Sequence, residues 1–290
     1  MITQAIEKAA VLIEALPYIQ RFRGETVVVK FGGSILDDRK NYEHILKDIA
    51  FMEIIGMRPV LVHGGGKAIS RAMKAAGIPS NFVRGLRVTD ETSIQIVDTV
   101  LNGEVNHSLV EILQETCKAQ GVHGQDIISV EKHTEVDEET GEVFDWGFVG
   151  NVTGLNATVL NDMLDDECVP VVTPLGSDST GQIHNVNADE AAAAIARHLG
   201  ARKLVFLSDV PGLLRDINDP ESIMSTLRRE EVIQLIQRGV IAGGMLPKVS
   251  GAVKAIEAGV RKAHIIDASM PHSLLLELFT DKGVGTEIIA

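Results

Sequence analysis

Thr26-Val-Val-Val-Lys30-Phe-Gly-Gly33 and Pro59-Val-Leu-Val-His63-Gly-Gly-Gly66 decide how the rest of this chain is read. Each is an apolar run rich in β-branched residues and stopped by glycines, the pattern of a buried parallel strand feeding a helix N-terminus. At such a turn, free N–H groups and the helix dipole favour an anion. Two of them, one carrying a lysine, point to a seat for phosphate. Neither is a Walker A loop, because Gly66-Lys67 is followed by Ala68 and position 61 is leucine. Neither fits G-x-G-x-x-G either, since position 69 is isoleucine.

Outward from these turns, strand-like runs recur at 26–30, 59–62, 127–130, 169–173, 203–207 and 263–266. Helical patterns lie between them at 40–56, 67–76, 90–102, 105–120, 154–165, 188–199, 228–238 and 248–259. This alternation predicts an α/β fold, a mostly parallel open sheet with helices on both faces. Ligands then bind at the carboxyl edge of the sheet. Residues 127–150 break the rhythm and read as an inserted β-hairpin with an exposed acidic tip, Asp137-Glu-Glu-Thr-Gly-Glu142. Residues 1–23 precede the first strand as a helix with Ile2, Ile6, Ala9, Ile13 and Leu16 at helical spacing. That helix either packs on its own domain or joins copies of the chain. A boundary near Leu199-Gly200 divides residues 24–199 from a second lobe, 200–290.

Composition excludes several classes. The net charge of −13, from 27 basic and 40 acidic residues, argues against general nucleic-acid binding. Any anionic ligand must therefore be held by local cations. No apolar stretch reaches membrane-spanning length, and residues 1–23 lack the pattern of a targeting peptide. Cys117 and Cys168 are too few for a disulfide framework or a cysteine metal site, which fits a reducing cytoplasm.

The candidate residues each carry two readings. Lys30, at a strand end, either snorkels to solvent or points into the cleft. His63 has no second ligand at metal-binding spacing and reads as a turn histidine bonded locally. Arg87, in Gly85-Leu-Arg-Val-Thr89, is a surface charge or a bidentate carboxylate clamp. Asn185-Val-Asn-Ala-Asp189 reads as ordinary helix caps or as amide donors with a carboxylate that holds lysines in place. Lys248 opens a helix, where the dipole disfavours a cation, so a compensating anion is expected beside it.

Taken together and in order, Val-Val-Lys30-Phe-Gly-Gly, Val-His-Gly-Gly-Gly66, Gly-Leu-Arg87-Val-Thr, Asn185-Val-Asn-Ala-Asp189, Leu-Ser-Asp-Val-Pro-Gly212 and Gly-Gly-Met-Leu-Pro-Lys248 resemble the amino-acid kinase family over nearly the whole chain. The third and fourth segments resemble the members that act on N-acetyl-L-glutamate, not those acting on carbamate, aspartate or UMP. The resemblance implies ATP-dependent phosphorylation of a side-chain carboxylate in arginine biosynthesis, with Mg²⁺ carried on the nucleotide and no separate metal site. It implies that Lys30 and Lys248 flank the transferring phosphoryl group and that Asp189 orients both. Gly65, Gly66, Arg87 and Asn185 would hold the amino acid. Gly32, Gly33, Ser208, Asp209, Gly212 and Gly244 would hold ATP. The N-terminal helix and the segment from Leu275 to Thr286 resemble arginine-inhibited hexameric members, which implies an arginine site at Tyr18, Glu277 and Gly283. Two alternatives stay open: an amino-acid kinase for glutamate or carbamate, and a non-catalytic ligand sensor of the same fold. The presence of Lys30, Lys248 and Asp189 argues against the sensor.

Overall fold

A computed structural model describes residues 2–37, 39–136, 141, 143–216, 218–219, 222–280 and 283–290. The chain opens with α1 (Ile2–Phe22), β1 (Thr26–Phe31), α2 (Arg39–Ile54), β2 (Arg58–His63) and α3 (Gly66–Ala75). A two-stranded flap follows, β3 (Phe82–Val83) and β4 (Leu86–Arg87), then α4 (Glu91–Asp98), α5 (His107–Gln114) and β5 (Ala119–Val122). The middle of the chain forms β6 (Ile128–Val136), β7 (Val143–Leu155), α6 (Thr158–Asp165), β8 (Val169–Val172), β9 (Leu175–Ser177), β10 (Ile183–Asn185) and α7 (Ala188–His198). It ends with β11 (Lys203–Ser208), β12 (Thr226–Arg228), α8 (Arg229–Gln237), α9 (Met245–Glu257), β13 (Lys262–Asp267), α10 (Ser273–Phe279) and β14 (Thr286–Ile289).

Eight strands form one sheet in the order β12-β14-β13-β11-β1-β2-β8-β5. The run from β13 to β5 is parallel throughout, and only the β13–β14 pairing is antiparallel. The expected mostly parallel sheet is therefore present, and β1 and β11 pair directly, so residues 24–199 and 200–290 share it. Strand β1 is central because both of its faces are apolar. Val28 packs with Val60, Leu204 and Phe206 in the core under α7 and α9. Val27, Val29 and Phe31 pack with Leu61, Val205 and Leu207 in the opposite core, under α2 and α10. Period-two alternation assigns them to opposite layers. Chain order reverses around β1, since β2 lies on one side and β11 on the other. Its carboxyl end is thus a switch point, the usual crevice for ligands in open α/β sheets.

The hairpin β6–β7 joins β9 and β10 in a small closed barrel. Its acidic tip, apart from Gly141, lies outside the described residues. Three expected elements shift. The pattern at 105–120 divides into α5, which ends at Gln114, and edge strand β5, because Ala119–Val122 pair with β8 and complete the sheet. The expected helix at 154–165 begins only at Thr158, since β7 runs on to Leu155. That at 90–102 leaves α-helical geometry at Thr99 and continues to Asn106 as a wider turn. On α1, Ile6, Ile13 and Leu16 are exposed, while Tyr18 and Phe22 stack on Phe279. No helix among the described residues is long and apolar enough to cross a membrane.

Gly124 marks where the barrel meets the sheet. A Cβ there would lie 2.1 Å from the Thr173 carbonyl and 2.4 Å from that of Leu175, and backbone cannot yield cheaply. Gly124→Ala should destabilise the fold by roughly 1–3 kcal/mol, as overpacking does. Thermal unfolding should register a midpoint several degrees lower; an unchanged midpoint would contradict this packing.

Candidate active site

The two glycine turns lie side by side. Register pairs Phe31 with His63, and the Gly64 N–H donates to the Phe31 carbonyl at 2.7 Å. A Cβ at Gly32 would sit 3.1 Å from the Gly64 nitrogen, a tight contact that favours glycine here. Gly33 has φ +85°, the left-handed region where glycine is at no disadvantage. Gly65 caps α3, whose first N–H groups have no intrahelical partner.

Lys30 does not snorkel. Its ammonium lies 2.9 Å from Asp189 Oδ1, and Lys248 Nζ lies 3.2 Å from Oδ2 of the same carboxylate. Lys30 and Asp189 are buried. Asn187 caps α7 by accepting from the Asp189 and Glu190 N–H groups, which fixes the first turn that presents the carboxylate. Asp189 is thus the compensating anion beside Lys248. Burial alone would raise the Asp189 carboxyl, but Lys30 and Lys248 outweigh it and hold the pKa below the ordinary value. Two cations share one anion, so the buried cluster carries a net charge of about +1.

Two cavities meet at this cluster. One, of about 340 Å³, is lined by Lys30, Gly32, Gly33, Ser208, Asp209, Gly244 and Lys248. The other, of about 260 Å³, is lined by Lys30, Gly33, Gly65, Gly66, Arg87, Asn185 and Asp189. Lys30 and Gly33 belong to both. Gly212 lines neither; with φ +153° it packs against Thr286, whose hydroxyl accepts the Leu213 N–H.

Arg87 is 5% exposed. Its guanidinium donates to the Gly66 carbonyl at 2.8 Å, to Ser70 Oγ at 2.9 Å and to Ser80 Oγ, and lies over the Phe82 ring. All of these partners are neutral. Burial pushes the Arg87 pKa below its ordinary value. A buried guanidinium with only neutral partners has the hydrogen-bonding geometry and the unbalanced charge to pair with a carboxylate.

The distant partners of His63 and Arg87 are silent in the sequence. His63 is fully buried, with Nδ1 2.8 Å from the Gly64 carbonyl. Asn106 donates its amide to His63 Nε2 at 3.1 Å and to the Val171 carbonyl at 2.8 Å. A carbonyl only accepts, so Nδ1 carries the hydrogen and Nε2 receives the amide. The neutral ring thereby fixes the glycine turn. Ser70 and Ser80 likewise hold Arg87, and nothing local in either serine announces it.

Tyr18, Glu277 and Gly283 line a third cavity, of about 330 Å³, together with Lys203 and His264. Glu277 accepts from His264 Nδ1 at 2.6 Å and from the Val284 and Gly285 N–H groups. Burial opposes its ionisation, yet these donors hold its pKa below the ordinary value. A Cβ at Gly283 would lie 2.7 Å from that carboxylate.

A family model described as the amino acid kinase family matches residues 25–267. The chain belongs to the amino acid kinase family. Within that family, it is 45% identical to the acetylglutamate kinase of Akkermansia muciniphila, over 99% of this chain and 97% of that one. A crystal structure of N-acetylglutamate synthase from Neisseria gonorrhoeae, complexed with coenzyme A and N-acetyl-glutamate, superposes with TM-score 0.84 at 30% identity. The match covers 97% of this chain but only 63% of that longer one. The same synthase complexed with coenzyme A and L-arginine gives TM-score 0.80 at 28% identity, covering 97% of this chain and 65% of that one.

Burial pushes His63 down to about 4 from 6.5, against the opposing bond to Gly64. The unfolded chain therefore takes up this proton first, and stability is lost as pH falls from 6.5 towards 4. His63 alone should remove ~2 kcal/mol between pH 7 and pH 5. In urea titrations, His63→Gln should show a smaller loss over that interval than the parent protein; equal losses would contradict the neutral, buried assignment.

Proposed function

We propose that this chain transfers the γ-phosphoryl group of ATP to the side-chain carboxylate of N-acetyl-L-glutamate, forming an acyl phosphate for arginine biosynthesis. The observation that carries this reading is the pair of unbalanced buried cations at opposite parts of one cavity system: the Lys30–Asp189–Lys248 cluster and Arg87. They suit an acceptor with a carboxylate at each end. Among the described residues, Asp189 is the only carboxylate lining the amino-acid cavity, and both its oxygens face lysines. An α-ammonium group would find no counterion there. That favours an N-acylated amino acid over free glutamate, in agreement with the name carried by the Akkermansia relative.

The acceptor carboxylate is already ionised near neutral pH, so no general base is needed. The barrier is that of an anion approaching a polyanion, and positioned cations lower it. Lys30 belongs to both cavities and would meet charge on the equatorial phosphoryl oxygens. Lys248, on the nucleotide side, would stabilise the leaving side. Asp189 holds both lysines at fixed distance and would act through them. Gly65 and Gly66 would offer N–H groups, while Arg87 and Asn185 would fix the α-carboxylate and the acetamido end. Gly32, Gly33, Ser208, Asp209 and Gly244 would surround the nucleotide; Gly212 would shape its loop from behind. Bound with ATP, Mg²⁺ would neutralise phosphate charge. Asp209 lines that cleft and would lie on the side of the nucleotide that carries the ion.

We further infer that arginine inhibits the enzyme at the third cavity. Glu277 offers an ionised carboxylate for a guanidinium. Lys203, pushed down to about 8 by burial, would gain from an α-carboxylate beside it. Tyr18 brings α1 into the same wall, and the exposed Ile6, Ile13 and Leu16 suit a helix that joins dimers into a hexamer. The reading also implies a cytoplasmic enzyme of two lobes, 24–199 for the amino acid and 200–290 for the nucleotide.

ADP release should depend on N-acetyl-L-glutamate, with glutamate and carbamate as poor acceptors. Lys248→Ala should lower kcat by about two to three orders of magnitude, as lost transition-state donors do; near-normal turnover would refute the two-lysine arrangement. Removing residues 1–22 should leave an active dimer with weakened arginine inhibition. A hexamer surviving that deletion would rule out α1 as the joining element.

A further inference from the structure

We propose that Trp146, on β7, is a positioning residue that braces the flap carrying Arg87, and so sets affinity for the amino-acid substrate without taking part in transfer. This rests on the acceptor reading above. The flap is a minimal element: two strands of two residues each, with Arg84 and Gly85 at its tip in the left-handed region, φ 48° and 83°. An isolated hairpin of this size has little stability of its own. Yet Phe82, Gly85, Leu86 and Arg87 form one wall of the amino-acid cavity. Something outside the flap must hold that wall.

The hairpin β6–β7 does so at three points. Trp146 is 1% exposed, and its indole Nε1 donates to the Val83 carbonyl at 3.0 Å. One residue on, the backbone grips the other arm of the flap: Thr89 N–H donates to the Trp146 carbonyl at 2.9 Å, and Phe148 N–H donates to the Thr89 carbonyl at 2.7 Å. Gly147 makes that grip possible. It has φ +75°, and a Cβ there would lie 2.2 Å from the Thr89 oxygen. At the tip, Arg84 bonds Glu135 of β6 at 2.6 Å and lies over the Phe144 ring of β7 at 4.7 Å. The indole is itself held in place, with the His133 ring 4.7 Å away. Arg87 sits between Val83 and Thr89, so both arms of its support run through Trp146 and its neighbour.

None of these contacts reaches the lysine cluster or the nucleotide cavity. Loss of the indole N–H should therefore loosen substrate binding and spare chemistry. Trp146→Phe keeps an aromatic ring at the site and removes the donor together with part of the indole's volume. We expect the KM for N-acetyl-L-glutamate to rise about fivefold to tenfold, the scale of one lost hydrogen bond, with kcat and the KM for ATP within about twofold. Trp146 is also the only tryptophan in the chain. Its emission should change saturably on titration with N-acetyl-L-glutamate and stay unchanged with ATP alone.

An unaltered KM for the acceptor, or both KM values rising together, would overturn the brace. So would emission that ignores N-acetyl-L-glutamate in a protein that turns it over. Should Trp146→Phe fail to fold, the surface variant Arg84→Ala must show the same KM split, smaller in size, or the proposal falls. If the parent protein releases no ADP with N-acetyl-L-glutamate, the acceptor assignment fails instead. The same KM comparison on the acceptor that does support turnover then decides the brace.

Discussion

One carboxylate between two ammonium groups organises the centre of this molecule. Asp189 needs Lys30 and Lys248 to stay ionised when buried, and Lys30 needs Asp189 to tolerate the same burial. The partners arrive from three distant stretches of chain: the end of β1, the first turn of α7 and the first turn of α9. The cluster is therefore a tertiary clamp as well as a source of positive charge. Removing Asp189 would leave the buried Lys30 ammonium beside the half-buried Lys248 with their shared counterion gone, a large penalty where solvent is scarce. Because the cluster keeps one unit of charge in excess, it remains receptive to an anion after it has stabilised itself.

The sheet supplies the geometry that makes the cluster serve two cavities. Strands β2 and β11 flank β1, so their terminal turns open on opposite sides of the Lys30 side chain. His63, Asn106 and Gly32 then fix how closely the first two turns approach. Each of these positions tolerates little change in volume, since its neighbours are backbone or a buried amide. Arg87 differs in kind. It is borne by a six-residue flap and positioned from outside.

Much of this was legible from local pattern. Apolar runs ending in glycine located β1 and β2, and the placement of Lys248 at a helix start called for an anion before Asp189 was seen beside it. Asn187 as a cap and His63 as a locally bonded turn residue follow from the same short-range chemistry. What could not be read depends on contacts between distant segments. Asn106 looks like any helical asparagine until Val171 and His63 are brought to it. Trp146 reads as a hairpin aromatic, and only the fold places Val83 against its N–H. Strands β9, β10 and β12 have three residues each, too few for an alternating signature. Gly212, a glycine in a suggestive motif, has Thr286 as its immediate neighbour, a contact that local pattern does not reveal.

The buried cations also bear on how ligands arrive. They sit inside a chain whose net charge is −13, and ATP and a dicarboxylate are themselves anions. At long range the protein repels what its cavities attract at contact. Capture is then governed by a short-range well behind a diffuse barrier, and that barrier thins as mobile ions shorten the Debye length to about 10 Å at 0.1 M salt. Moderate ionic strength should therefore speed encounter while leaving the enclosed pairs largely unscreened, the opposite of the usual behaviour of sites that steer their substrates from afar.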